Sequence, residues 1–139
     1  VLPCVMMVDL LTHWRGLRVE AGLPQVRAID PLVLPTESLP FLSLVQVEEA
    51  PRQFRIRLCG TGVCNAMGFD PTGRYLHDYA TSPHPDPRLS WTLDNRKPYL
   101  AQDDFTWAGR DFTSYWALTL PYVDEEDRIT RLLVAFWFV

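Results

Sequence analysis

Few residues in this sequence have the type and spacing to do chemistry. Cys59 and Cys64 lie five positions apart, and Cys4 is the third and last cysteine. A structural zinc site needs four ligands, usually from a close C-x-x-C pair joined by a second pair or by histidines. No His or further Cys completes such a set around Cys59 and Cys64. Three thiols cannot all pair within one chain, so reduced cysteines and a cytoplasmic compartment are the expectation. The run Gly60-Thr61-Gly62-Val63-Cys64-Asn65 follows a strand-like stretch and invites a dinucleotide reading. The third glycine of that fingerprint would fall at Asn65, and no second strand is expected before Tyr99, so the βαβ unit it requires is missing. Gly60 and Gly62 read instead as a strand-to-helix turn.

Two charged groups remain. Arg55 and Arg57 share one face of a strand, with Arg52 nearby, and can clamp an anion bidentately; pairing with Glu48, Glu49 or a downstream acidic turn is the simpler expectation. Asp103 and Asp104 offer a carboxylate that, buried beside Tyr115, would abstract a proton with its pKa raised toward working pH. On a regular strand one of the two must face outward, and no histidine stands nearby in sequence. That reading defines the rival function: a small cone-shaped lyase or isomerase of the ketosteroid-isomerase kind.

The whole chain bounds these options. Its 139 residues make one domain, 47% hydrophobic and 22% charged, which is globular composition. A net charge of −4 argues against a nucleic-acid surface. The opening VLPCVMMVDLL lacks a basic start and a small-residue cleavage site, so it does not read as a signal peptide. The terminal LLVAFWFV is too short to span a bilayer.

The elements that would position these residues follow from periodicity. Met7, Leu10, Leu11, Trp14 and Leu17 recur at three- and four-residue spacing, predicting an amphipathic helix from about Cys4 to Val19 within an N-terminal unit 1–21. Residues 22–40 carry Pro24, Pro31, Pro35 and Pro40 and should be a mostly extended connector, with one helical turn after Asp30. Residues 41–139 then form the core. Phe41–Val47 and Phe54–Cys59 predict a hairpin, in which Phe54, Ile56 and Leu58 point one way and Arg55 and Arg57 the other. Thr61–Met67 predicts a short helix closed by Gly68, with Asp70–Gly73 as a turn. A longer helix should run from about Asp86 to Arg96. Tyr99–Trp107, Phe112–Leu120 and Arg128–Phe138 then predict an antiparallel meander, turning at Ala108–Arg110 and Asp124–Asp127. The last strand is apolar on both faces, so both must be covered. One α+β layer with a five-stranded antiparallel sheet results.

That order, and the residues within it, resemble a PAS-like family common in α-proteobacteria. The carrying residues are Trp14 and Arg15 in the first helix; Asp30, Pro31 and Pro35 in the connector; and the block Arg57, Leu58, Gly60, Thr61, Gly68, Asp70, Thr72, Gly73 and Arg74. Tyr115, Leu118, Leu120 and Pro121 match the family's Y-x-x-L-x-L-P strand. The resemblance implies a cytoplasmic sensory or interaction module, strand order 2-1-5-4-3, helices on one face and a cavity beneath them. It carries over no catalytic residue, and the chain is read as a non-enzyme.

Within that superfamily a flavin photosensor needs a cysteine in an N-C-R-F-L-Q-like helix. GVCNAMG around Cys64 is not that motif, so Cys64 reads as a small core hydrophobe. A haem sensor needs an axial histidine; His13 lies on a polar helix face, His84 sits between prolines, and His77 follows a turn. Neither haem nor flavin is expected, no metal is expected, and the cofactor stays unassigned. The expectation is a small, mostly apolar molecule bound near Cys64, Met67, Tyr75, Trp91, Tyr115 and Trp116. Signalling would run through a homodimer whose seam is Met7, Leu10, Trp14 and Leu17, or through a separate effector protein; the same stripe equally suits a helix lying on its own sheet, which is the simpler reading of its spacing. A ligand-free dimer module is the further alternative.

Overall fold

The computed structural model describes residues 2–20, 22–78, 86–104 and 114–139. Five strands, β1 (Leu42–Glu48), β2 (Gln53–Cys59), β3 (Tyr99–Asp104), β4 (Ser114–Val123) and β5 (Ile129–Phe138), form one antiparallel sheet in the order β2-β1-β5-β4-β3. Three α-helices accompany it: α1 (Val5–Gly16), α2 (Thr61–Met67) and α3 (Asp86–Asn95). Order and connectivity are those expected. The expected turn at Ala108–Arg110, the distal ends of the flanking strands, and His84 in its proline-rich loop lie outside the described residues.

Local chemistry explains the boundaries. Gly68, at φ 87°, closes α2 in the left-handed conformation that glycine adopts without steric cost. Asp70 Oδ1 accepts hydrogen bonds from the Thr72 amide and hydroxyl, building the Asp70–Gly73 turn. Asp124 Oδ1 does the same for the Glu126 and Arg128 amides in the β4–β5 turn. Helix α1 ends at Gly16, short of the expected Val19. Glycine weakens the last turn, and the chain then reverses through Glu20 at φ 55°, with the Gly22 amide donating to Val19 O.

Several expectations need correction. Leu58 does not share the buried face of Phe54 and Ile56: the β1–β2 register shifts between Leu44 and Val45, and Leu58 is 61% exposed. The connector is not mostly extended: besides the turn after Asp30, it holds 3-10 turns at Val26–Ala28 and Thr36–Phe41. Such short turns use few amide donors, so the prolines that forbid longer helices are accommodated. Strand β4 does not stop at Leu120 but runs through Pro121 to Val123. Partner β3 begins at the Tyr99–Thr119 pair, so Pro121 lies on a free edge where its missing N–H costs no ladder bond. The connector claims that edge instead, as the Val123 amide donates to Pro24 O at 2.9 Å.

Both sheet faces are covered. Leu132 and Val134 of β5 join Val45, Val47, Phe54, Ile56, Ala117, Ala66 of α2 and Leu89 of α3, which defines the inner face. Leu133 and Ala135 join Leu42, Leu118, Leu120 and Tyr122 beneath Met6, Met7, Leu10 and Trp14 of α1. The Trp14 indole N–H also donates to Pro121 O at 3.0 Å in this buried layer. Met7, Leu10 and Trp14, expected on a seam between two copies, are thus buried in the chain's own core, and Leu17 packs half-buried beside them. The heptad spacing of a seam and the stripe of a helix lying on its own sheet coincide over two turns, and the sheet has taken the stripe.

Leu10→Ala should cost about 3 kcal/mol in urea unfolding, the transfer and cavity cost of a fully buried leucine. Leu10→Asp, which buries an unpartnered carboxylate, should abolish the cooperative transition rather than yield a folded monomer. A folded Leu10→Asp variant would show that α1 is dispensable to the core.

Candidate functional site

Polar chemistry enters the inner face at one end. Asp103 of β3, Tyr115 of β4 and Phe138 of β5 stand opposite one another across three strands, with Ala101, Ala117 and Phe136 forming the next row. Phe136 and Phe138 stack with centroids 5.9 Å apart and planes at 4°. Tyr115 tilts against them at 5.9 and 6.5 Å. Over this aromatic floor α3 brings Arg88, because Arg88, Leu89 and Thr92 occupy neighbouring turns on the helix side that meets the sheet. Arg88 Nη2 donates to the Tyr115 hydroxyl at 3.0 Å, and Nη1 lies 3.6 Å from Asp103 Oδ2. Its guanidinium also sits 5.8 Å from the Tyr115 ring centroid. The result is a half-buried cation–carboxylate–phenol group at the edge of an apolar layer. Such a group can orient the polar end of a small molecule whose body lies on the phenylalanines.

Asp103 does share the face of Tyr115, while Asp104 is exposed. A general base whose pKa is raised by burial needs a carboxylate without a counter-ion. Asp103 has the Arg88 guanidinium 3.6 Å away as its counter-ion, so the isomerase reading gains nothing from this geometry.

Of the six residues expected around a ligand, the structure puts Tyr115 at this place and separates the others. Trp116 follows Tyr115 on a strand and so takes the opposite face, where it packs with the α1 cluster. Tyr75 bridges to the outer edge of β2, donates to Glu48 Oε1 at 2.8 Å and lies under the Arg55 guanidinium. Trp91 is 39% exposed on α3, with its ring against that of Tyr99 at 5.0 Å. Cys64 and Met67 are half-buried on α2, whereas the α2 side chain in the inner cluster is Ala66. Arg88 was missed because one arginine in a helix otherwise read only for its ends gives no sequence signal. Its role depends on β3 and β4 arriving beneath it.

The remaining sequence candidates resolve simply. Gly60 and Gly62 are packing glycines: a Cβ at Gly60 would meet Leu39 O at 2.6 Å, and one at Gly62 the Phe41 ring at 2.7 Å. The start of α2 is therefore filled by the chain's own backbone, where a phosphate would have to sit. Arg55 pairs with Glu48 at 4.0 Å and Arg52 with Glu49 at 3.7 Å, as expected, and Arg52 also pairs with Asp94 at 3.1 Å; Arg57 departs from the expectation, with no carboxylate within ion-pair distance among the described residues. His13 is half-buried on α1, across the sheet from the inner face. His77 lies at the surface, 3.3 Å from Asp78 and stacked on Tyr75. Among the described residues no group of three or more His, Cys, Asp or Glu could hold a metal. No described helix is long and apolar enough to cross a membrane.

The five-stranded antiparallel sheet thus carries α2 and α3 on one face and α1 on the other. The comparisons make this specific. A family model described as "PAS domain" matches residues 5–84, more than half of the chain, and the chain belongs to the PAS domain family. A solved structure, the PAS domain of Bordetella pertussis BvgS, is 19% identical and aligns with a TM-score of 0.47 over 71% of this chain and 75% of that one. Among curated proteins the chain finds no match. PAS domains serve as sensory and interaction modules, which is the general role of this one.

Cys59 yields a test of the thiols. Cys64 Sγ lies 3.7 Å from Cys59 O. Burial and the neighbouring Cys64 thiol push Cys59 from 9.0 up to about 12, and burial likewise raises Cys64. Between these values the unfolded chain releases the Cys59 proton and the folded chain holds it, so unfolding gains free energy as pH rises. Stability, intact below pH 9.0, should therefore fall as pH climbs toward about 12. Cys59→Ala should flatten that fall in chemical denaturation across the alkaline range. An unchanged slope would mean the thiol titrates in the folded state as it does in the unfolded one.

Proposed function

We propose that this PAS domain is a cytoplasmic sensor that holds a small, largely apolar molecule on its inner face and reports occupancy through the α1 layer. The observation that supports the reading is the Arg88–Tyr115–Asp103 group set against Phe136 and Phe138. A purely structural core has no need of a half-buried guanidinium, since apolar side chains would fill the same space at lower desolvation cost. The ligand this arrangement fits has an apolar body and one acidic or hydrogen-bond-accepting end directed at Arg88.

Occupancy acts by favouring one of two packings of sheet against helix, which requires different affinity for the two states. The partner is a second copy of the chain or a separate effector protein. Since Met7, Leu10 and Trp14 are buried, the apolar ridge left for that contact on α1 is Val5 and Val8, 70% and 45% exposed.

Two measurements test this. Native mass spectrometry of freshly purified protein should reveal a discrete extra mass released on denaturation. Arg88→Met and Tyr115→Phe should each weaken the released compound's binding about tenfold, the loss of one charge-assisted or buried hydrogen bond. Retained affinity in both folded variants sinks the inner-face site. In light scattering the wild type should be dimeric and Val8→Asp monomeric with an unchanged unfolding midpoint; a wild type that stays monomeric at every concentration removes the second copy as partner.

A further inference from the structure

The α1 face carries a polar row whose cations the chain does not balance. Arg55, Gln46, Arg131 and Tyr122 stand opposite one another across β2, β1, β5 and β4. Partners in register share a face, and Tyr122 belongs to the α1 cluster, so the row lies beside the apolar stripe that α1 covers. Arg57 is the additional residue where the β1–β2 register shifts between Leu44 and Val45.

Arg55 is already answered: Glu48 Oε2 lies 4.0 Å away and Gly73 O accepts from its Nε at 3.2 Å. Glu48 is itself engaged, by the Tyr75 hydroxyl at 2.8 Å and the Gln46 amide at 3.5 Å. Arg131 and Arg57 are not answered. Arg131 Nη1 donates to the adjacent Thr130 carbonyl, and among the described residues no carboxylate lies within ion-pair distance of either arginine. Burial, and after it the charge of Arg57, disfavour the charged form of Arg131. Tyr122, fully buried opposite Arg131, has a hydroxyl without a hydrogen-bond partner among the described residues. The row therefore holds donors and positive charge in excess of its acceptors.

Strands β2 and β5 are separated only by β1, so their backbones run roughly 10 Å apart. Two arginine side chains rising from them can meet a single anion over Gln46. We propose that Arg57 and Arg131 form a binding site for a small multivalent oxyanion, a di- or tricarboxylate or a phosphate ester, on the α1 face of the sheet. A free anion suits this site better than the acidic turn of a second copy. In that turn Asp124 and Glu126 are paired with Arg128, and Asp127 with Arg96. The site lies across the sheet from Tyr115 and stands or falls apart from the inner-face reading.

The test is calorimetric titration of the whole chain with citrate and, separately, inorganic phosphate, with sodium chloride at matched ionic strength as the blank. Saturable heat with either anion and none with chloride is expected; citrate alone would point to carboxylate ligands, phosphate alone to phosphate esters. Arg57→Gln, at an exposed position, should weaken the binding about tenfold or more, and Arg131→Gln likewise. Arg15→Gln, an exposed arginine on α1, should leave it unchanged. No saturable heat with either anion overturns the proposal. So does binding that survives Arg57→Gln but is lost in Arg88→Met, which would place the anion on the inner face. A concentration-dependent dimer in light scattering that Arg57→Gln abolishes would also overturn it, by making an acidic group of a second copy the occupant.

Discussion

Everything in this domain follows from a central strand that is apolar on both sides. Leu132 and Val134 of β5 point one way and Leu133 and Ala135 the other, all of them buried. An antiparallel sheet can leave one face to water; this one cannot, because each buried leucine is worth roughly 2 kcal/mol of transfer free energy that exposure would forfeit. Two covers are therefore obligatory. The inner one comes from α2 and α3 in the middle of the chain, the other from α1 at its beginning. The return of α1 across the sheet is fastened by the Trp14–Pro121 hydrogen bond, which joins positions 107 residues apart.

This double burial also brings the two faces into close contact. A strand packed tightly on both faces has little slack, so a change at the inner face has a short route to the layer under α1. Tyr115 and Trp116 show how short: they are consecutive residues, one under Arg88 and one packed with the α1 cluster. The polar groups sit where the covers end. Arg88, Asp103 and Tyr115 mark the aromatic edge of the inner layer, and Arg131 and Gln46 mark the limit of the apolar stripe on the other face. Buried charge is costly unless paired, and its placement at these two margins keeps it at the edge of each apolar cover.

Much of this was legible before any coordinates. Alternation in FRIRLC reads as β2, although a register shift after Ile56 leaves Leu58 exposed; the Gly68 stop and the Asp70–Gly73 turn are present as expected, and the two-sided apolarity of the last strand demands two covers. The site was less legible. Tyr115 and Trp116 were grouped by aromatic type although period two sends neighbours to opposite faces, and Trp91 was grouped with them although its helix turns Leu89 and Thr92 to the sheet. Tyr75 went to the wrong face because an irregular segment adding itself to the edge of β2 has no periodic signature.

The sequence by itself determined the family, the five strands and three helices, and the number of faces to be covered. Those properties rest on local propensity and on periodicity, which are written along the chain. Only the tertiary structure decided who covers what: that the α1 stripe goes to its own sheet, that β4 continues through Pro121 because β3 has already ended, and that Arg88 meets Asp103 and Tyr115. These depend on which elements end where and on side chains meeting from positions 15 or more apart in the sequence, and a one-dimensional pattern has no coordinate for either.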